Sequence, residues 1–116
     1  MSSKTDRPLY PVAALTMAEA FSVACCAPGC WEPPAIRVFD REGGAVLCAD
    51  HLLSRLTKRA AGGGARVVYL GESSGEPRRS NLDVTSLRYE GGALRAWDQL
   101  YGRWLTLSID KIAEIP

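Results

Sequence analysis

Three cysteines and one histidine are spaced as two local pairs: Cys25 and Cys30 with four residues between them, Cys48 and His51 with two. Zinc takes four ligands at the corners of a tetrahedron, and such pairs let a short stretch of backbone present two ligands at once. Pro28-Gly29, inside CCAPGC, supplies the turn that bends the chain between two thiols. Cys48 and His51 fall at the start of a segment that reads as a helix, where residues three apart share one side. The partial positive charge of a helix N-terminus favours a thiolate there. His51 is the only histidine in the chain. Four protein ligands fill the coordination shell, so the expected Zn2+ is structural rather than catalytic. Binding of this kind contributes on the order of 10 kcal/mol to folding, and the first half is expected to be unfolded without it. Cys26 is a competing thiol. Adjacent side chains rarely point at one ion, so either Cys25 or Cys26 is spare.

The metal matters because the chain is short. Its 116 residues, 47% of them hydrophobic, suffice for one or two small modules but not for a large core. The 14 Lys and Arg against 13 Asp and Glu give a net charge of +1, which excludes an argument from bulk electrostatics. The halves differ: four basic residues against six acidic before His51, ten against seven from His51 onward. The second half is therefore the better candidate for an anionic partner. No apolar segment suits a secretory signal or a bilayer span, so the expected location is cytoplasmic, with no membrane partner. Thiols stay reduced in that compartment, which again favours a metal over disulfides. The richness in Ala, Gly and Arg suits a GC-rich bacterial or phage genome.

Along the chain, residues 1–24 are predicted to form an N-terminal arm. Pro8 and Pro11 make its start extended or loose, and AALTMAEAFSVA (13–24) is compatible with either a helix or a strand. Residues 25–61 form the zinc-binding module: the CCAPGC knuckle, a β-hairpin of AIRVFD and AVLC joined through REGG, and the amphipathic helix CADHLLSRLTKRAA. Gly62 to Gly64 read as a linker. In residues 65–116, ARVVYLGE and NLDVTSLRYE are predicted strands separated by a turn-rich loop, ESSGEPRRS. ALRAWD, RWLTLSID and KIAEIP complete five short strands joined by tight turns, the pattern of a small antiparallel barrel. The expected class is thus α+β.

Knuckle, hairpin and a helix whose first turn donates two ligands: this order resembles the treble-clef zinc fingers. The stretch CCAPGCWEPPAIRVFDREGGAVLCADHL is similar to small bacterial zinc modules with a Cys-x-x-Pro-Gly-Cys knuckle and a Cys-x-x-His closure, and that motif favours Cys25 over Cys26 as ligand. The run YEGGALRAWDQLYGRWLTLSIDKIAEI resembles the C-terminal part of the WYL domain, an SH3-like or Sm-like barrel found in bacterial transcription regulators and defence-associated proteins. The similarity lies in Tyr89-Glu90-Gly91-Gly92, in Leu94 to Asp98, and in Leu107-x-Ile109-Asp110-Lys111-Ile112. Gly92, Ala93 and Leu94 stand where the family has Trp-Tyr-Leu, and Leu105 where it has a basic residue, so the resemblance implies the fold rather than the family's ligand sensing.

Neither half offers a nucleophile-base pair, a carboxylate dyad or a glycine-rich phosphate loop, so no enzyme is expected. The expected function is that of a regulatory or accessory factor that binds DNA or RNA. Phosphate contacts would come from Arg55, Lys58, Arg59, Arg78, Arg79, Arg88, Arg95 and Arg103, with Trp97 or Trp104 stacking on bases. The alternative is a zinc-stabilised protein-interaction adaptor, docking on a larger protein or on a second copy of itself. A ligand pocket in the barrel mouth is a third option. Each residue also has a plain reading: tryptophans as barrel packing, arginines as solvated surface.

Overall fold

The computed structural model describes residues 8–40, 43–71 and 73–116. The hairpin forms as expected from β2 (Pro34–Asp40) and β3 (Gly43–Cys48), with Ile36, Val38, Val46 and Leu47 buried. Arg41 and Glu42, in the predicted connection, lie outside the described residues. Helix α2 (Ala49–Lys58) follows directly and packs Leu52 and Leu56, both fully buried, against β2 and β3. β4 (Gly64–Leu70) is apolar on both faces apart from Arg66, and accordingly most of it is buried.

Part of the stretch read as an arm is built into the sheet, while residues 1–7 of it lie outside the described residues. β1 (Tyr10–Ala14) pairs with β2 through Val12 opposite Val38, and with β9 (Ile112–Ile115) through Tyr10 opposite Ile115. The stretch 13–24 is neither all strand nor all helix: β1 ends at Ala14 and α1 (Met17–Ser22) follows. A capping box starts that helix. The Thr16 hydroxyl accepts from the Glu19 N–H at 3.2 Å, and the Glu19 carboxylate accepts from the Thr16 N–H at 3.1 Å. Those bonds hold the Glu19 carboxyl below its usual range.

The second half contains six strand segments where five were expected: β4, β5 (Pro77–Asp83), β6 (Arg88–Glu90), β7 (Ala93–Asp98), β8 (Arg103–Ser108) and β9. The extra one arises because NLDVTSLRYE is broken. The Asp83 carboxylate accepts from the Thr85 N–H at 3.0 Å and its hydroxyl at 2.8 Å, stabilising a 3-10 turn at Val84–Ser86 that separates β5 from β6. The loop predicted at ESSGEPRRS is also shorter than expected, since Pro77 to Ser80 already pair with β4.

Gly62 to Gly64, expected as a linker, make a tight turn instead. Ala61 and Gly64 exchange backbone hydrogen bonds at 3.1 and 3.2 Å, and Gly62 and Gly63 take positive φ (63° and 77°). Gly64 itself lies so close to Asn81 and Gln99 that a Cβ would meet their side chains at 2.5–2.7 Å.

The strands form a curled, half-barrel sheet in the order β3-β2-β1-β9-β4-β5-β7-β6, with β8 on the other edge of β7, and every pairing is antiparallel. One core joins the halves. Ile36, Val38, Leu47, Leu52 and Leu56 belong to the same buried cluster as Val67, Tyr69, Leu82, Leu94, Leu107 and Ile115.

Candidate metal centre

The knuckle is built by a turn. The Cys30 N–H donates to the Ala27 carbonyl at 3.1 Å, with Pro28 and Gly29 between them and Gly29 at φ 74°. Proline followed by a positive-φ glycine is the requirement of a type II turn. The Cys26 N–H donates to the Val46 carbonyl at 2.7 Å, which ties the knuckle to β3. β3 then delivers Cys48 at the N-cap of α2, and the first turn of that helix delivers His51.

Cys25, Cys30, Cys48 and His51 converge so that their ligand atoms all lie within 4.8 Å of one another. Cys30 Sγ to Cys48 Sγ is 3.8 Å, Cys25 Sγ to His51 Nδ1 is 3.3 Å, and Cys48 Sγ to His51 Nδ1 is 3.0 Å. A tetrahedron with metal–sulfur bonds of about 2.3 Å has an edge of about 3.8 Å, and a mixed sulfur–nitrogen edge is a few tenths shorter. The four side chains are thus close enough together to hold a single metal ion. Cys26 is exposed while Cys25 is 6% exposed, so the pair resolves with Cys25 facing the cluster.

Crowding of thiols shows in their acidities. Burial opposes ionisation of Cys25, but hydrogen bonds from the Ala27 and Cys48 backbone and from the Cys30 and Cys48 thiols together outweigh it and bring this thiol to about 7. Burial pushes the Cys48 thiol up to about 11, with Cys30 and Cys25 adding to the rise. One ready thiolate beside a reluctant one is the arrangement in which a cation, by stabilising both charges, contributes most.

The residues expected to contact phosphate fall into separate groups rather than one continuous surface. Arg55 is turned inward: its Nε donates to the Pro116 main-chain oxygen at 2.9 Å, its Nη2 is buried without a partner, and burial lowers its pKa. Arg55, Lys58 and Arg59 together line a shallow hollow of about 260 Å3 with Cys26 and His51. Arg78 and Arg79 lie opposite Tyr69 and Val68 on β5, so they project to opposite faces of the sheet. Arg103 Nη2 donates to the Tyr69 hydroxyl at 3.2 Å.

Arg88, Arg95 and Trp97 share the outer face of β6–β7–β8: Arg88 is opposite Arg95, and Trp97 is opposite Trp104. The Trp rings meet edge to face at 5.6 Å and 80°, and the Arg95 guanidinium sits 5.0 Å from the Trp104 centroid. Trp104 is 54% exposed and Trp97 only half-buried, so Trp104 is the more available ring. Register alone could have revealed this, because the Tyr101-Gly102 turn sets Trp97 across from Trp104.

The chain matches no family model, no curated protein and no solved structure. Among the described residues, no helix is long and apolar enough to cross a membrane.

Proposed function

We propose that this chain is a zinc-stabilised, non-enzymatic nucleic-acid-binding module, in which a treble-clef-like knuckle, hairpin and helix brace an SH3-like barrel. The Cys3His donor set supports zinc, whose borderline softness suits thiolate and imidazole together. Strands β4 to β9, with the bent β5–β6 and the 3-10 turn at Ile109–Lys111 before β9, support the barrel reading.

The observation that carries the nucleic-acid reading is the outer face of β6–β8. An exposed Trp104 is flanked by Trp97 and covered on one side by Arg95, with Arg88 next to Arg95. Exposed aromatics offer bases a stacking surface worth about 1–3 kcal/mol per base, and neighbouring arginines take the phosphates. Titrating a single-stranded oligonucleotide against intrinsic tryptophan fluorescence tests it. Quenching that weakens steeply between about 50 and 200 mM salt, and that Trp104→Ala removes, is expected. No quenching at low salt overturns the reading.

A second reading, the protein-interaction adaptor, is favoured by a different patch. Met17, Phe21 and Trp31 are 78, 86 and 95% exposed. With Val23, Pro33 and Pro34 they line one groove beside the knuckle. Large apolar side chains so exposed together mark contact surfaces.

A further inference from the structure

We infer that the cavity between the end of β4–β5 and the free edge of β8 is a binding site for a phosphomonoester. The cavity measures about 410 Å3, within the range of small-ligand pockets. Three cations reach it from three different elements: Arg78 from β5, Arg103 from β8 and Lys111 from the turn before β9. None of the three cations has an ion-pair partner among the described residues, and Glu72, between the lining residues Gly71 and Ser73, lies outside them.

Tyr69 and Ser73 are hydroxyl-bearing residues of the lining, and Thr106 and Ser108 line it along the strand edge, their side chains alternating in direction with those of Leu105 and Leu107. The Tyr69 oxygen accepts from Arg103 at 3.2 Å, which fixes the guanidinium and leaves the phenol free to donate its own proton. Arg78 lies against Gly71. Its Nε and the Ser74 hydroxyl each lie 3.0 Å from where a Cβ on Gly71 would stand, so a side chain at 71 would push both aside by a few tenths of an ångström.

Convergent cations beside the Tyr69 hydroxyl match the needs of a dianionic phosphoryl group, which offers three acceptor oxygens. Leu70, Leu105 and Leu107 on the remaining wall suit the organic portion of the ester better than bare inorganic anion. The site is independent of Trp104 and Arg95, neither of which lines it.

The test uses the full, metal-loaded chain and four probes: inorganic phosphate, ribose 5-phosphate, AMP, and an oligonucleotide with or without a 5′-phosphate. Binding is read by calorimetry at low ionic strength. At least one phosphomonoester should bind more tightly than inorganic phosphate, and Arg103→Ala or Arg78→Ala should weaken it about ten- to a hundredfold, the loss of one charged hydrogen-bonding group. Gly71→Ala, which keeps every charge but displaces Arg78, should weaken it too.

The tightest probe identifies the source of the ester: sugar phosphate, nucleotide or nucleic-acid end. Trp104→Ala should leave phosphomonoester binding unchanged, so a failed stacking face and a failed pocket give different results. No binding by any probe at millimolar concentration, or binding that the Arg78→Ala/Arg103→Ala double variant retains while its circular dichroism is native, overturns the inference.

Discussion

Removing the metal should melt the whole chain, including the half that supplies no ligand. Zinc binding of this type contributes on the order of 10 kcal/mol to folding. For 116 residues, an unfolding entropy of about 2.1 cal/mol/K per residue amounts to roughly 0.24 kcal/mol/K, so a loss of that size lowers Tm by about 40 °C. A chain of this length has a total stability of about 6–17 kcal/mol, so more than half of it is lost. The loss cannot stay in the ligand-bearing half, because β1 is bonded to both β2 and β9 and the buried cluster runs from Leu52 to Ile115. The assay is thermal melting with and without a strong chelator, followed by far-UV circular dichroism and by tryptophan fluorescence. Trp97 and Trp104 lie in the distant half, so the two signals should fall together. A drop in Tm under about 10 °C, or a melt in which the tryptophan signal survives loss of the helix signal, would falsify the coupling.

Further outcomes follow from single side chains. Cys25→Ser should reduce zinc affinity at least about a hundredfold in a competition titration, whereas Cys26→Ser, at an exposed thiol, should leave it within about twofold. Zinc affinity should be lower at pH 6 than at pH 8: Cys25, held at about 7 before metal binds, has mostly lost its proton at the higher pH and must give it up at the lower, while Cys48, near 11, gives one up at both. Leu52→Ala empties a fully buried position under α2 and should cost about 2–5 kcal/mol in urea unfolding of the metal-loaded protein. Asp98→Ala should cost about 1–3 kcal/mol in the same assay, because this fully buried carboxylate accepts from the Leu100 N–H at 2.9 Å and the Tyr101 N–H at 3.4 Å.

Local chemistry was legible in the sequence. The spacing of Cys25, Cys30, Cys48 and His51, the Pro28-Gly29 turn and the Leu52/Leu56 stripe each encode their structure within a few residues, and the convergence of the four ligands follows from them. Long-range pairing was not. β1 hid because Pro8 and Pro11 suggest a loose arm and because Val12, Ala13 and Ala14 show no polar alternation. The capping box Thr16-x-x-Glu19 was a readable signal for α1, and it settles a stretch that hydrophobic periodicity leaves open. Gly62 to Gly64 misled because glycines serve both flexible tethers and left-handed turns, and only a partner such as Ala61 decides between them. The arginines were the hardest to place. A charged side chain reads the same in sequence whether it faces solvent, as at Arg79, or turns inward to a main-chain oxygen, as at Arg55.

The β1–β9 pairing has a consequence for synthesis. Tyr10 leaves the ribosome long before Ile115, its partner across the ladder, and until then β1 presents bare amides and carbonyls along one side. The Cys25–His51 cluster can form early, on a nascent chain, yet the half-barrel acquires its lasting shape only with the arrival of β9. Contacts this distant slow folding, and in the interval the exposed edge is open to annealing with a neighbouring copy.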